Sequence, residues 1–368
     1  MANAFEILSN LRDSLPADTP ENQNEREKSL REVRNVSLSL ERQDNAVEKD
    51  LLPVAADLGI FELLENTSSK TAADITERTP GADLTLICRV LRCLESFGAI
   101  GGNISAGYTS STVSKASPGW LLIPQFLKDK QYPNPTSSTD TPFAKAYGFK
   151  DGATIWQILE TTDHMPVIGL LMQSFNDGHK NFLDMYPAMD RLAAGALIDS
   201  EAVMMVDVGG GQGHQAIAMK RKFPDLPGRY IVTDLAHGLP VNRDDTTGVE
   251  FLVHDFMTEL PIKGARLYYL RHISHDWPQA VLIQILNYIR RPMKTGYSKM
   301  IINDWMVPAE GASKYMMAQD FNMMAVGGGM ERTQALHEEY IAAAGLKISG
   351  IWKANDDISE NFIECEIA

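Results

Sequence analysis

Short apolar runs alternate with segments of helical spacing throughout the second half of the chain. The runs cover residues 202–208, 228–232, 249–253, 265–270 and 299–302. Strands that alternate with helices at this spacing predict a parallel sheet with helices on both faces. Residues 346–352 and 361–367 predict an antiparallel pair at one edge of that sheet. The pattern therefore indicates an α/β fold, with a doubly wound and mostly parallel sheet, over residues 199–368.

The first half of the chain is dominated by helical spacing. Apolar residues recur at this spacing between residues 45 and 60, and Thr71 with Asp74 has the spacing of a capping box that starts a short helix. A longer helix is predicted over 84–97, and residues 100–110 indicate a small β-wing. The residues of the longer helix expected to face inward are Leu86, Ile87, Val90, Leu91 and Leu94. Three helices and a wing predict a winged-helix unit over residues 45–115.

The remaining segments are less regular. Residues 1–44 are mostly polar and charged, and we expect a helical arm there. Residues 116–150 are rich in Pro, Ser, Thr and Gly, which is typical of an irregular connector. Helical spacing resumes from residue 154 to about 200 with many Met and aromatic residues, which form either core or the lining of an apolar pocket. We assign residues 116–198 to a connector and a helical pocket segment.

Length and charge narrow the class of protein. A chain of 368 residues is long enough for two domains, and 44% hydrophobic with 22% charged residues is ordinary for a globular protein. The formal net charge is −14 and no long Lys/Arg run occurs, which argues against a nucleic-acid partner. The third helix of the winged unit offers only Arg89 and Arg92 as basic residues, so we expect a structural or dimerisation role for that unit.

Other sequence features bear on location. Cys88, Cys93 and Cys365 are an odd number of cysteines without secretory spacing, which favours a reducing compartment. The first residues do not combine a basic segment with an apolar core, and no window reaches the roughly 18 apolar residues that span a bilayer. We therefore expect a cytoplasmic protein without a membrane partner.

A glycine-rich loop follows the first predicted strand of the sheet, in the sequence Val-Asp-Val-Gly-Gly-Gly-Gln-Gly at 206–213. Glycines at a strand-to-helix junction let a ligand approach the backbone closely. The dinucleotide pattern G-x-G-x-x-G fails here, because its last glycine, counted from Gly209, is His214. What remains is Asp207 followed by Gly209, Gly211 and Gly213 at alternate positions. A ligand-free turn is one explanation; the pattern also resembles the S-adenosylmethionine loop of class I methyltransferases.

The next two strand ends carry further acidic residues. Asp234, followed by Leu235, ends the second strand, where a carboxylate accepts both hydroxyls of a ribose, although a turn or cap role is the alternative. Asp255 and Phe256 end the third strand. There the carboxylate of Asp255 is suited to accept a hydrogen bond from an adenine amino group, and the ring of Phe256 is suited to cover the face of the base. The residues expected to bind a nucleoside cofactor are Asp207, Gly209, Gly210, Gly211, Asp234, Leu235, Asp255 and Phe256.

The closest family resemblance lies in residues 267–278, Leu-Tyr-Tyr-Leu-Arg-His-Ile-Ser-His-Asp-Trp-Pro. Together with Asp304, Pro308 and the Met-Glu-Arg-Thr sequence at 330–333, this stretch is similar to the plant and fungal small-molecule O-methyltransferases, caffeate-type enzymes included. The similar order and spacing cover most of residues 45–368. The resemblance implies a Rossmann-like class I methyltransferase domain, S-adenosylmethionine as the cofactor, no metal, and an N-terminal unit that forms a homodimer.

The resemblance also implies roles for single residues. His275 is the general base, Asp304 and Glu331 flank its ring to fix tautomer and orientation, and Arg271 contacts the cofactor. Asp304 stands where the plant enzymes usually carry Glu, and its shorter side chain reaches less far. The acceptor is a hydroxyl on an aromatic or polyketide-like small molecule. The pocket for it is expected to draw on Met172, Phe175, Trp305, Asn322, Met323 and Val326.

Several alternatives stay open from the sequence. His272 is a competing base, and Asp276 is expected to cap the helix that follows rather than to react. Some fungal relatives of this family keep the cofactor and catalyse dehydration, ring closure or pericyclic rearrangement without transferring the methyl group, and a base such as His275 also serves dehydration. A winged-helix regulator or inert binding subunit is a third class.

Overall fold

The structure is a computed structural model that describes residues 52–64, 69–79, 81–96, 99–110, 119–162, 182–240, 248–353 and 360–368. The chain divides into two compact units, residues 1–121 and 122–368. The division into four segments expected from the sequence stays a prediction. The arm predicted over 1–44, and the pocket residues Met172 and Phe175, lie outside the described residues.

The described residues of the first unit include helical segments and a hairpin. The helices are α1 (Ile60–Leu64), α2 (Ala72–Glu77) and α3 (Leu84–Ser96), and the strands are β1 (Ile100–Asn103) and β2 (Gly107–Ser110), which pair antiparallel. The capping box predicted at the start of α2 is confirmed. The N–H of Asp74 donates to Thr71 Oγ1 at 3.2 Å, and the N–H of Thr71 donates back to the Asp74 carboxylate at 2.8 Å.

The inward face of α3 is narrower than predicted. Ile87, Val90, Leu91 and Leu94 are fully buried, whereas Leu86 is 45% exposed. The four buried residues follow the i, i+3, i+4, i+7 spacing of one helix face, and Leu86 lies one step, about 100°, away from it. The prediction that Leu86 faces the core is therefore wrong. The predicted homodimer stays a prediction.

The second unit is built on a seven-stranded sheet among its described residues. The strands of this sheet are β3 (Val203–Val208), β4 (Arg229–Asp234), β5 (Glu250–Val253), β6 (Leu267–Arg271), β7 (Lys299–Asp304), β10 (Leu346–Trp352) and β11 (Asn361–Ile367). A separate two-stranded pairing joins β8 (Met306–Val307) to β9 (Arg332–Thr333). The described helices are α4 (Ile123–Asp129), α5 (Pro142–Ala146), α6 (Ile155–Thr161), α7 (Phe182–Met185), α8 (His214–Lys222), α9 (Gln279–Arg290), α10 (Lys314–Gly327) and α11 (Gln334–Ala343). A π-helical turn spans Met189–Ala193.

The strand order is β10-β11-β7-β6-β3-β4-β5. Strands β3 to β7 are parallel, and β11 pairs antiparallel with both β7 and β10. The predicted mostly parallel sheet and its antiparallel pair at one edge are confirmed. From β3 the chain builds outward through β4 and β5, then returns to place β6 on the other side of β3. The order thus reverses between β3 and β6.

Both faces of the sheet are covered by helices. Alternate residues of β3 point to opposite sides: Val206 packs in the layer that holds α9 and α11, and Met205 packs in the layer that holds α8. In β6, Tyr268 and Tyr269 divide in the same way. Strands that are covered on both faces consist of continuous apolar residues, and this is why the sequence predicts these strands.

A buried carboxylate ties the antiparallel edge to the rest of this unit. Glu364, in β11, is fully buried and accepts hydrogen bonds from Tyr186 Oη at 2.5 Å, Lys299 Nζ at 2.7 Å and Arg191 Nη2 at 2.5 Å. Burial alone would raise the pKa of Glu364, but these donors and Ser349 lower it below its usual range. The carboxylate therefore stays charged and joins β7, β11 and the π-helical turn.

We expect Glu364→Gln to reduce the free energy of unfolding by about 3 kcal/mol, because removing one partner leaves the charges of Lys299 and Arg191 poorly compensated. Urea denaturation followed by tryptophan fluorescence measures this. The matched control is Glu250→Gln, which breaks the exposed pair of Glu250 with Arg229. That change is expected to cost under about 1 kcal/mol. Equal losses in the two variants would contradict a special role for Glu364.

Candidate active site

The predicted site residues follow the carboxyl ends of neighbouring strands. Because β5, β4, β3, β6 and β7 are parallel and adjacent, the loops after them meet at one edge of the sheet. Open α/β sheets bind ligands where the strand order reverses. The glycine loop follows β3 and the loop of His275 follows β6, so the two loops flank that reversal.

The glycine loop uses backbone conformations that side chains disfavour. Gly209 and Gly211 have φ of 67° and 52°, in the left-handed region. The N–H of Gly209 donates to the carbonyl of Thr233 at 2.7 Å, which ties the loop to β4. A Cβ on Gly210 would lie 2.5 Å from Cγ of Asp207, so a side chain has no room there. The loop thus presents bare backbone at the sheet edge.

Asp207 lies directly against this loop. Its side chain is buried, and the N–H of Ala216 donates to its carboxylate. Burial raises the pKa of Asp207 to about 7, with Arg271 opposing the rise. The structure therefore places this predicted cofactor residue under the backbone of Gly210, where it supports the loop.

Asp234 ends β4 beside the loop. Its Oδ2 accepts a hydrogen bond from the N–H of Gly211 at 2.8 Å, and its Oδ1 accepts one from the N–H of Leu235 at 2.7 Å. Burial raises the pKa of Asp234, and the two hydrogen bonds oppose the rise. A Cβ on Gly211 would meet no atom nearer than 3.9 Å, so the fixed carboxylate borders open space.

Asp255 and Phe256 follow β5. Asp255 is exposed, and its Oδ1 accepts a hydrogen bond from the N–H of Met257 at 2.9 Å. Phe256 is half-buried and packs edge-to-face on Trp277, with ring centroids 6.0 Å apart. A Cβ on Gly209 would lie 3.4 Å from the ring of Phe256. The aromatic ring therefore lies beside the glycine loop.

These strand ends together suit a nucleoside cofactor. A nucleoside is bound by accessible backbone, a carboxylate for its ribose hydroxyls and an aromatic ring for its base. Gly211, Asp234 and Phe256 provide these three groups in turn. The structure brings these predicted residues together at one edge of the sheet. Their contacts with a cofactor stay a prediction.

His275 lies in a 3₁₀ turn, Ser274–Asp276, that follows β6. Its side chain is buried, and its Nδ1 is 2.7 Å from Oε1 of Glu331. A carboxylate only accepts hydrogen bonds, so Nδ1 carries a proton and donates it to Glu331. Nε2 is then the ring nitrogen available for proton exchange with a ligand.

Carboxylates dominate the charge around this ring. Burial lowers the pKa of His275, but the charges of Glu331, Asp304 and Asp276 outweigh burial and raise it to about 10. Nε2 lies 3.6 Å from Oδ1 of Asp276. Burial raises the pKa of Asp276 to about 6, with His275 opposing the rise. At neutral pH the ligand-free site therefore holds an imidazolium between carboxylates.

Asp304, at the end of β7, is bonded to the turn. Its Oδ2 accepts hydrogen bonds from the N–H of Ser274 at 3.1 Å and from the hydroxyl of Ser274. Glu331 is the carboxylate bonded to the ring of His275, whereas Asp304 acts on the ring through its charge. The expected role of Asp304 and Glu331 in orienting the ring of His275 stays a prediction.

The prediction that Asp276 caps the following helix is wrong. Helix α9 begins at Gln279, and its N-cap position is Pro278. Because the 3₁₀ turn ends at Asp276, the carboxylate turns back toward His275.

The competing histidine is bonded elsewhere. Nε2 of His272 is 2.7 Å from Oε1 of Glu360, and the ring packs on Trp305 with centroids 4.6 Å apart. Its φ of 54° lies in the left-handed region, so the chain turns sharply just before the 3₁₀ turn. The rings of His272 and His275 are edge-to-face at 5.3 Å.

Arg271 ends β6 and forms a two-point ion pair. Its Nε and Nη2 donate to the two oxygens of Glu360 at 2.8 and 2.6 Å. Asn303 Nδ2 also donates to Glu360, at 2.7 Å. Burial would raise the pKa of Glu360, but His272 and Arg271 lower it well below its usual range. The predicted cofactor contact of Arg271 stays a prediction, since the guanidinium is here directed at Glu360.

The predicted substrate-pocket residues that the structure describes lie directly after β7 and on α10. Trp305 is buried against the rings of His272 and His275. Met323 is buried, and Asn322 and Val326 are half-buried on α10. Trp305 therefore places an aromatic ring against His275, and the contact of all four residues with a substrate stays a prediction.

Sequence reasoning missed two residues. Glu360 collects Arg271, His272 and Asn303, and nothing in its local sequence marks it. Arg332 is fully buried and donates to backbone carbonyls of the His275 turn. Arg332 is part of the Met-Glu-Arg-Thr sequence at 330–333, but a sequence motif does not show that a charged side chain is buried.

No group of three or more His, Cys, Asp or Glu side chains in the described part of the chain is arranged to hold a metal ion. Within the same residues, no helix has the length and apolar character needed to cross a membrane.

Known proteins share this organisation. The family described as the O-methyltransferase domain matches residues 133–347. The methyltransferase cfoC of Aspergillus candidus is 31% identical, over 95% of this chain and 93% of its own length. The demethylsterigmatocystin 6-O-methyltransferase of Aspergillus parasiticus is 34% identical, over 81% of this chain and 80% of its own.

Solved structures are similar over nearly the whole chain. One described as a pericyclic reaction enzyme and one of LepI in complex with SAM are each 25% identical, cover 98% of both chains and have a TM-score of 0.67. With the family match spanning more than half of the chain and two relatives above 30% identity, the chain belongs to the O-methyltransferase family.

Proposed function

We propose that this enzyme transfers a methyl group from S-adenosylmethionine to a hydroxyl of an aromatic or polyketide-like small molecule, with His275 as the general base. The observation that carries the proposal is the hydrogen bond from Nδ1 of His275 to Glu331. It fixes the tautomer and leaves Nε2 for the acceptor hydroxyl. The named relatives in fungal secondary metabolism support the acceptor class.

The cofactor is S-adenosyl-L-methionine, and we propose that the strand ends after β3, β4 and β5 hold it. Asp234 receives the ribose hydroxyls, the backbone at Gly209 to Gly211 lets the cofactor approach, and Phe256 covers the adenine. When bound, the cofactor supplies a methyl group made electrophilic by its sulfonium. This part of the site lies on one side of the strand-order reversal, and His275 lies on the other.

The residues around His275 accept one proton from the acceptor and stabilise the charge it brings. The reactive form of the ring is the neutral one, a minority at neutral pH: its Nε2 accepts the proton of the acceptor hydroxyl while Nδ1–H remains bonded to Glu331, and the ring becomes a buried imidazolium. Glu331, Asp276 and Asp304 stabilise that charge, as the raised pKa of His275 indicates. A phenol has a pKa near 10, about that of His275, so the transfer costs little free energy. Burial of His275 and Trp305 keeps water away from the reacting oxygen.

We expect the asparagine variants of the two histidines to separate the base from its neighbour. His275→Asn removes the proton acceptor and should lower kcat for a phenolic acceptor about 10²–10⁴-fold. His272→Asn should retain kcat within about tenfold, since asparagine tolerates the left-handed backbone of that position. Calorimetric titration with S-adenosylhomocysteine checks that both bind the cofactor site. Equal turnover of the two variants would remove His275 from the mechanism.

The pH profile tests the charge around the ring. Because the pKa of His275 is raised to about 10, its base form is scarce at neutral pH, and kcat/KM should rise about tenfold per pH unit between roughly pH 7 and 9. Glu331→Gln removes the carboxylate that raises this pKa most. The rising limb should therefore move to lower pH, while the maximal rate falls. An unmoved limb in Glu331→Gln would show that another group titrates.

A second function has a specific observation in its favour. An imidazolium at neutral pH is a general acid, and a similar solved structure is described as a pericyclic reaction enzyme. On this alternative the site binds S-adenosylmethionine as a fixed positive charge and catalyses dehydration, cyclisation or rearrangement without methyl transfer.

The mass of the product separates the two functions. We expect an acceptor incubated with enzyme and S-adenosylmethionine to gain one CH₂ unit, with one equivalent of S-adenosylhomocysteine formed; mass spectrometry of both species measures this. His275→Asn is the matched control. An isomeric or dehydrated product without S-adenosylhomocysteine would replace methyl transfer by the second function.

A further inference from the structure

Arg332 joins the two ends of the turn that carries His275. It is 1% exposed, and its guanidinium donates to the carbonyl of Ser274 from Nη1 at 2.6 Å and to the carbonyl of Trp277 from Nη2 at 2.7 Å. Within the turn the N–H of Asp276 donates to the carbonyl of Ile273 at 3.3 Å, and 3₁₀ hydrogen bonds have poorer geometry than those of an α-helix. One rigid, planar cation therefore spans it from residue 274 to residue 277.

The segment around Arg332 also touches the turn through its backbone. The N–H of Met330 donates to the carbonyl of His275 at 2.9 Å. A Cβ on Gly329 would overlap the carbonyl oxygen of His275, and one on Gly327 would lie 2.5 Å from that of Asp276. Residues 327–332, which we call the platform, thus pack against the turn through backbone at Gly327, Gly329 and Met330.

The same platform carries the partner of the ring. Glu331 is the neighbour of Arg332 in sequence, and its N–H donates to Asp320 Oδ1 at 2.9 Å. Arg332 thereby fixes the turn to the very segment that presents the Glu331 carboxylate. It also supplies a positive charge among Asp304, Glu331 and Asp320, and lies over the ring of Tyr340 at 5.4 Å.

We propose that Arg332 is a positioning residue: by clamping the carbonyls of Ser274 and Trp277 to the platform, it sets the hydrogen bond between His275 Nδ1 and Glu331. Its value for catalysis rests on the proposed function, whereas the hydrogen bond itself does not. A displacement of about 1 Å between reacting groups can cost about 10²-fold in rate. A lysine at position 332 keeps the charge but cannot reach both carbonyls as a fork.

The test compares two buried arginines that both bind backbone carbonyls. Arg266 is 6% exposed and donates to the carbonyls of Leu192 at 2.8 Å and Ala194 at 2.8 Å, just before β6 and so at the opposite end of that strand. Arg332→Met, Arg332→Lys and Arg266→Met are compared in the full chain. The direct readout is the proton NMR resonance of His275 Nδ1–H, identified by its loss in His275→Asn; circular dichroism checks folding.

We expect Arg332→Met to lose the Nδ1–H resonance and to lower kcat about 10²-fold, with KM for the cofactor within about twofold. Arg332→Lys should recover only part of both, with kcat still about tenfold below that of the wild type. Arg266→Met should lower the melting temperature yet keep the resonance and the kcat of the folded enzyme.

Two outcomes would overturn the proposal. One is a wild-type resonance and rate in Arg332→Lys, which also decides the matter if Arg332→Met does not fold. The other is equal loss of the resonance in Arg266→Met, which would assign the effect to general packing. If the wild-type enzyme transfers no methyl group, the NMR comparison still tests the clamp and only the proposed function fails.

Discussion

A buried hydrogen bond between His275 and Glu331 is the interaction on which the rest of the site depends. A charged carboxylate is expensive to bury unless it is paired and bonded, and this site buries several. The ring, Arg332 and the surrounding donors compensate that charge, so the positions of the turn, β7 and the platform are all constrained by it. The site is therefore a network of mutual charge compensation, and the raised pKa of His275 is its measurable consequence.

The sheet makes this network possible because it separates two tasks. The loops after β3, β4 and β5 present backbone, a carboxylate and an aromatic ring, whereas the loop after β6 presents the imidazole of His275 and the loop after β7 presents Trp305. Asp207 and Arg271 lie between the two groups and influence each other electrostatically. The strand-order reversal thus allows a cofactor and an acceptor to approach from neighbouring loops while each loop keeps its own support.

Most of the sheet was predictable because its strands are covered on both faces and read as apolar runs, and the capping box of α2 was predictable because it is local. Leu86 was misplaced because one residue's shift along a helix changes the face. The cap at Asp276 failed because a 3₁₀ turn and Pro278 intervene, which spacing alone does not show. Glu360 and Arg332 gained their positions from tertiary burial, a property that a single sequence does not carry.

Helix α10 connects three of the residues proposed to line the acceptor pocket to the turn that carries His275. Asn322, Met323 and Val326 lie on its later turns. Gly327, its last residue, packs against the carbonyl of Asp276, and Gly329 packs against that of His275. Contacts between backbones leave little slack to absorb a shift of the helix. Substitutions that retune acceptor preference on α10 should therefore change turnover as well, and their effects should combine non-additively with those on the platform. Directed evolution of a new acceptor would then have to optimise both segments together.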